Sequence, residues 1–341
     1  MTQKAATKEK KERESADTVA KTVDQIIGWQ GVSLRVPEDW SLVGFGGDDK
    51  SGSVRLDSGD AENRVRSVEL RWAGAKGPQT TSDLEARVGP LLKRAERTSR
   101  KAGASAETET KPLEDKRHPD RSASLGFFWK ANDASAVGRI WHCNTCGRVV
   151  IAQAYCESGN RGRSAAGEIL AGIECHSEES AWRIWGLYGL CTQLPADYAL
   201  AGQQLMNVYL QLQFQRGQST DQLIVEQWNL ANVQLKGMYL DEWFDRKGQG
   251  AISMSDIDKA ETIANGHPAL RVTGRRSGLS YWSGEGAKNL VKLKKPALNY
   301  AALLWECPQS NRAYLIQSFS RRRQPELLDE IMRRTRCHES P

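Results

Sequence analysis

The chain carries an internal repeat. Residues 28–42 read GWQGVSLRVPEDWSL and residues 186–200 read GLYGLCTQLPADYAL, with two glycines, a proline, an aspartate and a leucine at identical places. Trp40 of the first segment is matched by Tyr198 of the second. Self-similarity at a long spacing is typical of a duplicated structural unit. We therefore predict two diverged copies of one unit in tandem.

The repeat continues in the second half of each copy. A Trp, a Cys and an Arg precede an apolar run at the same spacing, and a Cys-His pair follows a helical pattern. The first copy contributes Trp141, Cys143, Arg148, Cys175 and His176, and the second contributes Trp305, Cys307, Arg312, Cys337 and His338. The alternative is that two unrelated domains share turn residues by accident, and agreement over separate stretches favours duplication.

The length of 341 residues allows two hydrophobic cores, because a single core rarely grows beyond about 250 to 300 residues. We predict a charged, disordered segment over residues 1–25, a first domain over 26–178 and a second domain over 179–341. Residues 98–124 are rich in Ala, Ser, Thr, Glu and Lys and poor in large apolar residues. This composition predicts a disordered insertion in the first domain.

The order of patterns within each copy predicts the fold class. A strand enters a turn that contains Pro and Asp, and two strands with alternating apolar residues follow as a hairpin. A helical pattern then begins near Ser82 in the first copy and near Leu230 in the second. A last strand and helix close the unit. We therefore expect an α+β fold, with an antiparallel sheet and packed helices in each copy.

The first strand of each copy ends in a proline that is followed by an acidic residue or alanine, an aspartate and an aromatic residue. The residues concerned are Gly31, Val36, Pro37 and Trp40, and Gly189, Leu194, Pro195 and Tyr198. This pattern resembles the opening of PsbP-like domains, which are α/β/α sandwiches. The resemblance covers about 45 residues of each copy and implies a non-catalytic fold that binds protein partners. It assigns no functional residue.

Composition narrows the class of protein. The formal charge of +6 and the 26% of charged residues are ordinary for a globular chain, so they permit a nucleic-acid partner without implying one. No run approaches the roughly 20 apolar residues of a membrane helix, and the N-terminus lacks the apolar stretch of a secretory signal. We expect a cytoplasmic protein without a membrane partner, in which the seven cysteines are thiols or metal ligands.

One metal site is predicted. Cys143 and Cys146 have the C-x2-C spacing at which two thiolates approach one zinc ion. If the next strand and helix are antiparallel neighbours, Cys175 and His176 return to the same end of the domain and complete a four-ligand site. Two alternatives stay open: buried thiols without metal, and a disulfide between Cys143 and Cys175. The second copy favours buried thiols, because it has no counterpart of Cys146.

The C-terminal region is basic. Its arginines are candidate phosphate contacts for a nucleic acid, and the alternative is a solvated helix face. The residues are Arg321, Arg322, Arg323, Arg333 and Arg334.

No nucleophile, cofactor loop or acid-base pair stands in a recognisable catalytic context. The leading hypothesis is a non-enzymatic protein-binding or scaffold protein with up to one structural zinc ion. A nucleic-acid-associated protein that uses the C-terminal arginines is the first alternative, and an enzyme of unrecognised type is the second.

Overall fold

The computed structural model describes residues 24–60, 62–248, 254–276 and 298–338. The chain divides into two compact units. The first runs through Ile27 and from Val32 to Cys175, and the second comprises Gly28–Gly31 and the chain from His176 onward. The predicted disordered segment 1–25 lies almost entirely outside the described residues.

The first unit contains a seven-stranded antiparallel sheet. Its strands follow two short ones, β1 (Asp24–Trp29) and β2 (Val32–Pro37). They are β3 (Trp40–Gly47), β4 (Ser51–Ser58), β5 (Val65–Gly74), β6 (Glu107–Pro112), β7 (Ala123–Ala131), β8 (Ala134–His142) and β9 (Arg148–Cys156). Their order across the sheet is β3-β4-β5-β9-β8-β7-β6. Two helices accompany it, α1 (Thr81–Lys101) and α2 (Asn160–Ala171).

The second unit repeats this arrangement. It begins with β10 (Trp182–Leu187) and β11 (Leu190–Pro195). The sheet strands are β12 (Tyr198–Met206), β13 (Tyr209–Arg216), β14 (Gln222–Asn229), β15 (Met254–Ala264), β16 (His267–Arg276), β17 (Leu298–Cys307) and β18 (Arg312–Ser320). Their order is β12-β13-β14-β18-β17-β16-β15, which is the order of the first sheet position by position. The helices are α3 (Ala231–Leu235), α4 (Leu240–Gly248) and α5 (Pro325–Arg333).

The expected α+β class is wrong, because strands make up 52% and helices only 19% of the structure. One reason is that some strands lack the apolar alternation by which strands are recognised. All six residues of β6, ETETKP, are exposed at the sheet edge. Residues 98–124, where composition predicts a disordered insertion, hold the end of α1, all of β6 and the start of β7.

A second reason is that the helical pattern of the second copy does not form one helix. Lys236 and Gly237 both have a left-handed backbone, with φ of 50° and 75°, directly after α3. A continuous right-handed helix cannot pass through two such residues. The pattern is therefore divided between α3, of five residues, and α4, of nine.

Helices cover both faces of the first sheet. Leu84 and Val88 of α1 are buried in one cluster with Phe127. The guanidinium of Arg163 in α2 lies 3.4 Å from the ring centre of Phe128. Because neighbouring residues of a strand point to opposite faces, α1 and α2 lie on opposite sides of this sheet. No helix among the described residues has the length and apolar character needed to cross a membrane.

Candidate metal centres

The first centre lies at one end of the first sheet. Cys143 follows β8 directly, Cys146 lies in the turn to β9, and Cys175 and His176 follow α2. One ligand atom of each residue lies within 4.8 Å of the others. Cys143 and Cys175 are buried, while Cys146 and His176 are half-buried. The predicted convergence of these four residues is thus present in the structure.

The turn between β8 and β9 presents the first two thiols. The amide of Gly147 donates to the Cys143 carbonyl at 2.9 Å, and the amide of Cys146 points to Cys143 Sγ at 3.5 Å. Gly147 has φ of +66°, a conformation that favours glycine. This closed turn holds both sulfurs on one side of the chain.

The segment after α2 is held in place by backbone and side-chain contacts. Ser33 and Glu174 exchange two backbone hydrogen bonds of 2.9 and 2.8 Å. Arg121 donates to the carbonyl of Ile173. Trp141 Nε1 donates to Cys175 Sγ at 3.5 Å, which orients that sulfur. Supporting contacts of this kind are what fix the ligands of a metal site.

The surroundings of the first centre raise the pKa of its three thiols and so favour their protonated form. The pKa of Cys143 is raised to about 12. The contact with Cys146 opposes this rise, whereas the hydrogen bond to Cys175, the burial of the thiol and the hydrogen bond to Asp120 produce it. The pKa of Cys175 is raised to about 11, with Cys143 opposing the rise and Cys146 and burial causing it. A bound cation would take the place of these protons.

The second unit contains an equivalent centre. His267, Cys307, Cys337 and His338 bring one ligand atom each within 4.8 Å of the others. Nδ1 of His338 lies 3.2 Å from His267 Nε2, 3.4 Å from Cys307 Sγ and 3.2 Å from Cys337 Sγ. The expectation that Cys307 lies near Cys337 and His338 is confirmed. Burial raises the pKa of Cys337 to about 11, helped by Cys307.

His267 is a candidate ligand that the sequence analysis missed. It opens β16 after a turn in which Asn265 and Gly266 both have positive φ. The side chain of Asn265 donates to the carbonyl of Thr335 at 2.8 Å, which ties this turn to the segment before Cys337. Asn-Gly is a strong hairpin signal, so the turn before His267 could have been predicted from the sequence. Placing His267 beside Cys307 would also have required the pairing register of β16 with β17.

The fourth candidate ligand thus comes from a different element in each unit, the β8–β9 turn in the first and β16 in the second. Ser124 pairs with Trp141 in the first sheet, and Ala269 pairs with Trp305 in the second. Two residues earlier in the chain lie Ser122, directly before β7, and His267, the first residue of β16. The first unit has no histidine at this place, and Cys146 of the turn supplies the fourth atom instead.

The C-terminal arginines lie at the two ends of α5. Three of them precede the helix and are exposed: Arg321, Arg322 and Arg323. The other two, Arg333 and Arg334, stand at its C-terminal end. The helix between the two groups is about 14 Å long at 1.5 Å per residue. Arg334 is engaged locally: it lies 2.8 Å from a Glu179 oxygen and 4.2 Å over the Trp182 ring.

All seven cysteines are thiols, and no disulfide joins any of them. Neither a protein-family model nor a curated protein matches this chain. Its chemistry is therefore interpreted from the two centres themselves.

Proposed function

We propose that the chain is a non-enzymatic, cytoplasmic scaffold protein in which each unit carries one structural zinc ion. The observation that carries the proposal is the recurrence of a four-ligand Cys/His cluster at the same end of both sheets. The fourth ligand comes from different elements in the two units, so the cluster recurs although its sequence pattern does not. This favours a selected site over buried thiols that meet by accident.

The ligand atoms suit zinc. Three cysteines with one histidine, and two of each, are both common donor sets of structural zinc sites. Zinc bonds of about 2.0 to 2.3 Å in a tetrahedron separate neighbouring ligand atoms by roughly 3.3 to 3.8 Å. The distances of 3.2 to 3.4 Å around His338 are close to this range.

The ligand count supports a structural role. A catalytic zinc ion keeps one position open for water or substrate, whereas a structural ion has four protein ligands. Both clusters offer four, and five of the eight residues are buried. Each ion would join the last segment of its unit to the hairpin at the sheet end. Two similar, stabilised surfaces would then be available to protein partners.

Metal analysis of the purified full-length protein tests the proposal. We expect two equivalents of zinc in the wild type and one equivalent in either Cys143→Ser or His267→Ala. Cys156→Ser and Cys191→Ser are matched controls in the first and second units, because these thiols lie outside both clusters. They should retain two equivalents.

The absence of metal from protein purified with all thiols reduced would contradict the proposal. Loss of zinc in the Cys191→Ser control, with retention in His267→Ala, would contradict the assignment of the second site.

A further inference from the structure

The first unit contains a cleft of about 750 Å³ between α1 and the sheet. Residues of α1 form one wall, and residues of β5, β7 and β9 form the other. None of its lining residues is a ligand of either metal centre, and nothing in the proposed zinc sites uses it.

Two aromatic side chains stand in this cleft. Trp129 and Tyr155 are half-buried, and their rings meet edge to face at 5.8 Å. Gln153 holds them: its Nε2 lies 2.8 Å from Tyr155 Oη, and its Oε1 accepts from Trp129 Nε1 at 3.5 Å. Trp141, in contrast, is fully buried. The cleft therefore presents oriented aromatic surface that the core leaves accessible.

The rim of the cleft is cationic. Residues 87–101 of α1 contain six Arg or Lys and one acidic residue. All six cationic residues are exposed. Within the part of the chain that the structure describes, no carboxylate lies within 4.0 Å of any of them. Arg87 and Arg94 line the cleft itself, and Arg97, Arg100 and Lys101 line a shallower hollow beside it.

The floor carries charges of both signs, because Glu69 and Arg71 of β5 both line it. Glu69 accepts from Gln153 Nε2 at 3.0 Å and lies 3.7 Å from Arg55. A planar group with hydrogen-bond donors suits the floor, and phosphates suit the rim.

We infer that this cleft binds single-stranded nucleic acid, with a base against Trp129 and Tyr155 and the phosphates along α1. Aromatic platforms beside a basic track are the means by which such strands are bound without sequence preference. The basic stretch from Arg87 to Lys101 is about 21 Å long at 1.5 Å per residue, enough for several phosphates. A duplex keeps its bases stacked and would not reach the rings.

Fluorescence anisotropy with a labelled oligothymidine of roughly twelve nucleotides tests the inference on the full-length protein. Wild type should bind at about 50 mM salt, and the affinity should fall as salt rises. Arg87→Gln combined with Arg94→Gln should weaken binding roughly tenfold and should lower the slope of log affinity against log salt by about 1.4, at about 0.7 per phosphate.

Trp129→Leu should weaken binding roughly tenfold and leave that slope unchanged, because it removes stacking and no charge. Since Trp129 also packs against the core, Trp129→Phe serves as a second variant. It should retain most of the binding.

Arg246→Gln combined with Lys247→Gln is the matched control, because it removes two exposed charges from a helix of the second unit and should leave affinity unchanged. No binding by wild type, equal weakening in this control, or tighter binding of a duplex of the same length would overturn the inference. Unchanged zinc content in every variant would separate this result from failure of the proposed metal sites.

Discussion

Glu226 is a buried carboxylate in the second unit, 6% exposed. It accepts hydrogen bonds from Tyr209 Oη, from Gln211 Nε2 at 2.6 Å and from Gln317 Nε2 at 2.8 Å. Tyr300 Oη in turn donates to Gln317 Oε1 at 2.9 Å. All these partners are neutral, so the network satisfies the carboxylate oxygens without a compensating charge. Burial raises the pKa of Glu226, and the hydrogen bonds limit the rise.

This shift predicts a pH dependence of stability. A carboxyl whose pKa is raised by folding stabilises the fold below its ordinary value of about 4.5, and this contribution is lost as pH rises through the folded pKa. Glu226→Gln does not titrate. We therefore expect the free energy of unfolding of this variant, relative to wild type, to increase as pH rises through that window.

Urea denaturation from about pH 4 to pH 8 measures this difference, and zinc should be present at the same concentration throughout. A flat difference would contradict the prediction. An equally large effect in the control Glu261→Gln, at an exposed position, would place its origin elsewhere.

The equivalence of large aromatic residues is another feature at this scale. Trp40 and Tyr198 are 3% and 2% exposed, and Trp141 and Trp305 are both fully buried. Trp141 pairs with Val150, and Trp305 pairs with Tyr314, at matching places in the two sheets. The repeat in the sequence therefore corresponds to a repeat of core positions.

Among the elements, α1 shows most directly how local sequence sets a boundary. Asp83 N donates to Thr80 Oγ1 at 3.3 Å, and Thr80 N donates to Asp83 Oδ2 at 2.8 Å. This reciprocal pair satisfies amides at the helix start that have no partner within the helix. The helix predicted from near Ser82 accordingly begins at Thr81.

Thr80→Ala should therefore lower the free energy of unfolding by about 1 kcal/mol, because it removes the cap. Thr98→Ala is the matched control: it lies exposed within the same helix, where alanine is favoured, and should be neutral or stabilise by a few tenths of a kcal/mol. Thermal or urea denaturation of both variants measures the effect. An equal loss in the two variants would show that the cap does not matter.

At the scale of the whole molecule, each unit is built around one antiparallel sheet. The segment after its last helix, which contains Cys175 or Cys337, returns to the sheet end where Cys143 or Cys307 lies. In the first unit, Cys146 and Cys175 enclose β9 and α2 between them. In the second, His267 and Cys337 enclose β16, β17, β18 and α5. An ion bound at both ends of such a loop stabilises the folded state directly, since the unfolded chain does not preform the site.

If both sites hold zinc, a strong chelator should lower the thermal midpoint of the wild type, and added zinc should restore it. Cys143→Ser should already show a lowered midpoint for the first unit and should respond to chelation only through the second. Cys191→Ser should behave as wild type. A midpoint that is unaffected by chelation, in protein shown to have lost its zinc, would contradict a structural role.

Much of the local structure could be read from the chain. The matching turns, the C-x2-C spacing and the return of Cys175 and Cys337 follow from residue order and from the tendency of consecutive elements to be neighbours. The resemblance to PsbP-like domains, the protein partner and the alternative role of the C-terminal arginines stay predictions.

Long-range pairing accounts for what could not be read. The edge strand β6 exists because its backbone pairs with β7, although its side chains carry no strand pattern. His267 lies beside Cys307 because β16 pairs with β17, and no local signal encodes that register. Residue order thus established the repeat and most candidate ligands, whereas strand pairing established the β-rich class and the fourth ligand of the second centre. The physical reason is that turns and caps depend on neighbouring residues, while a sheet joins residues that are far apart in the chain.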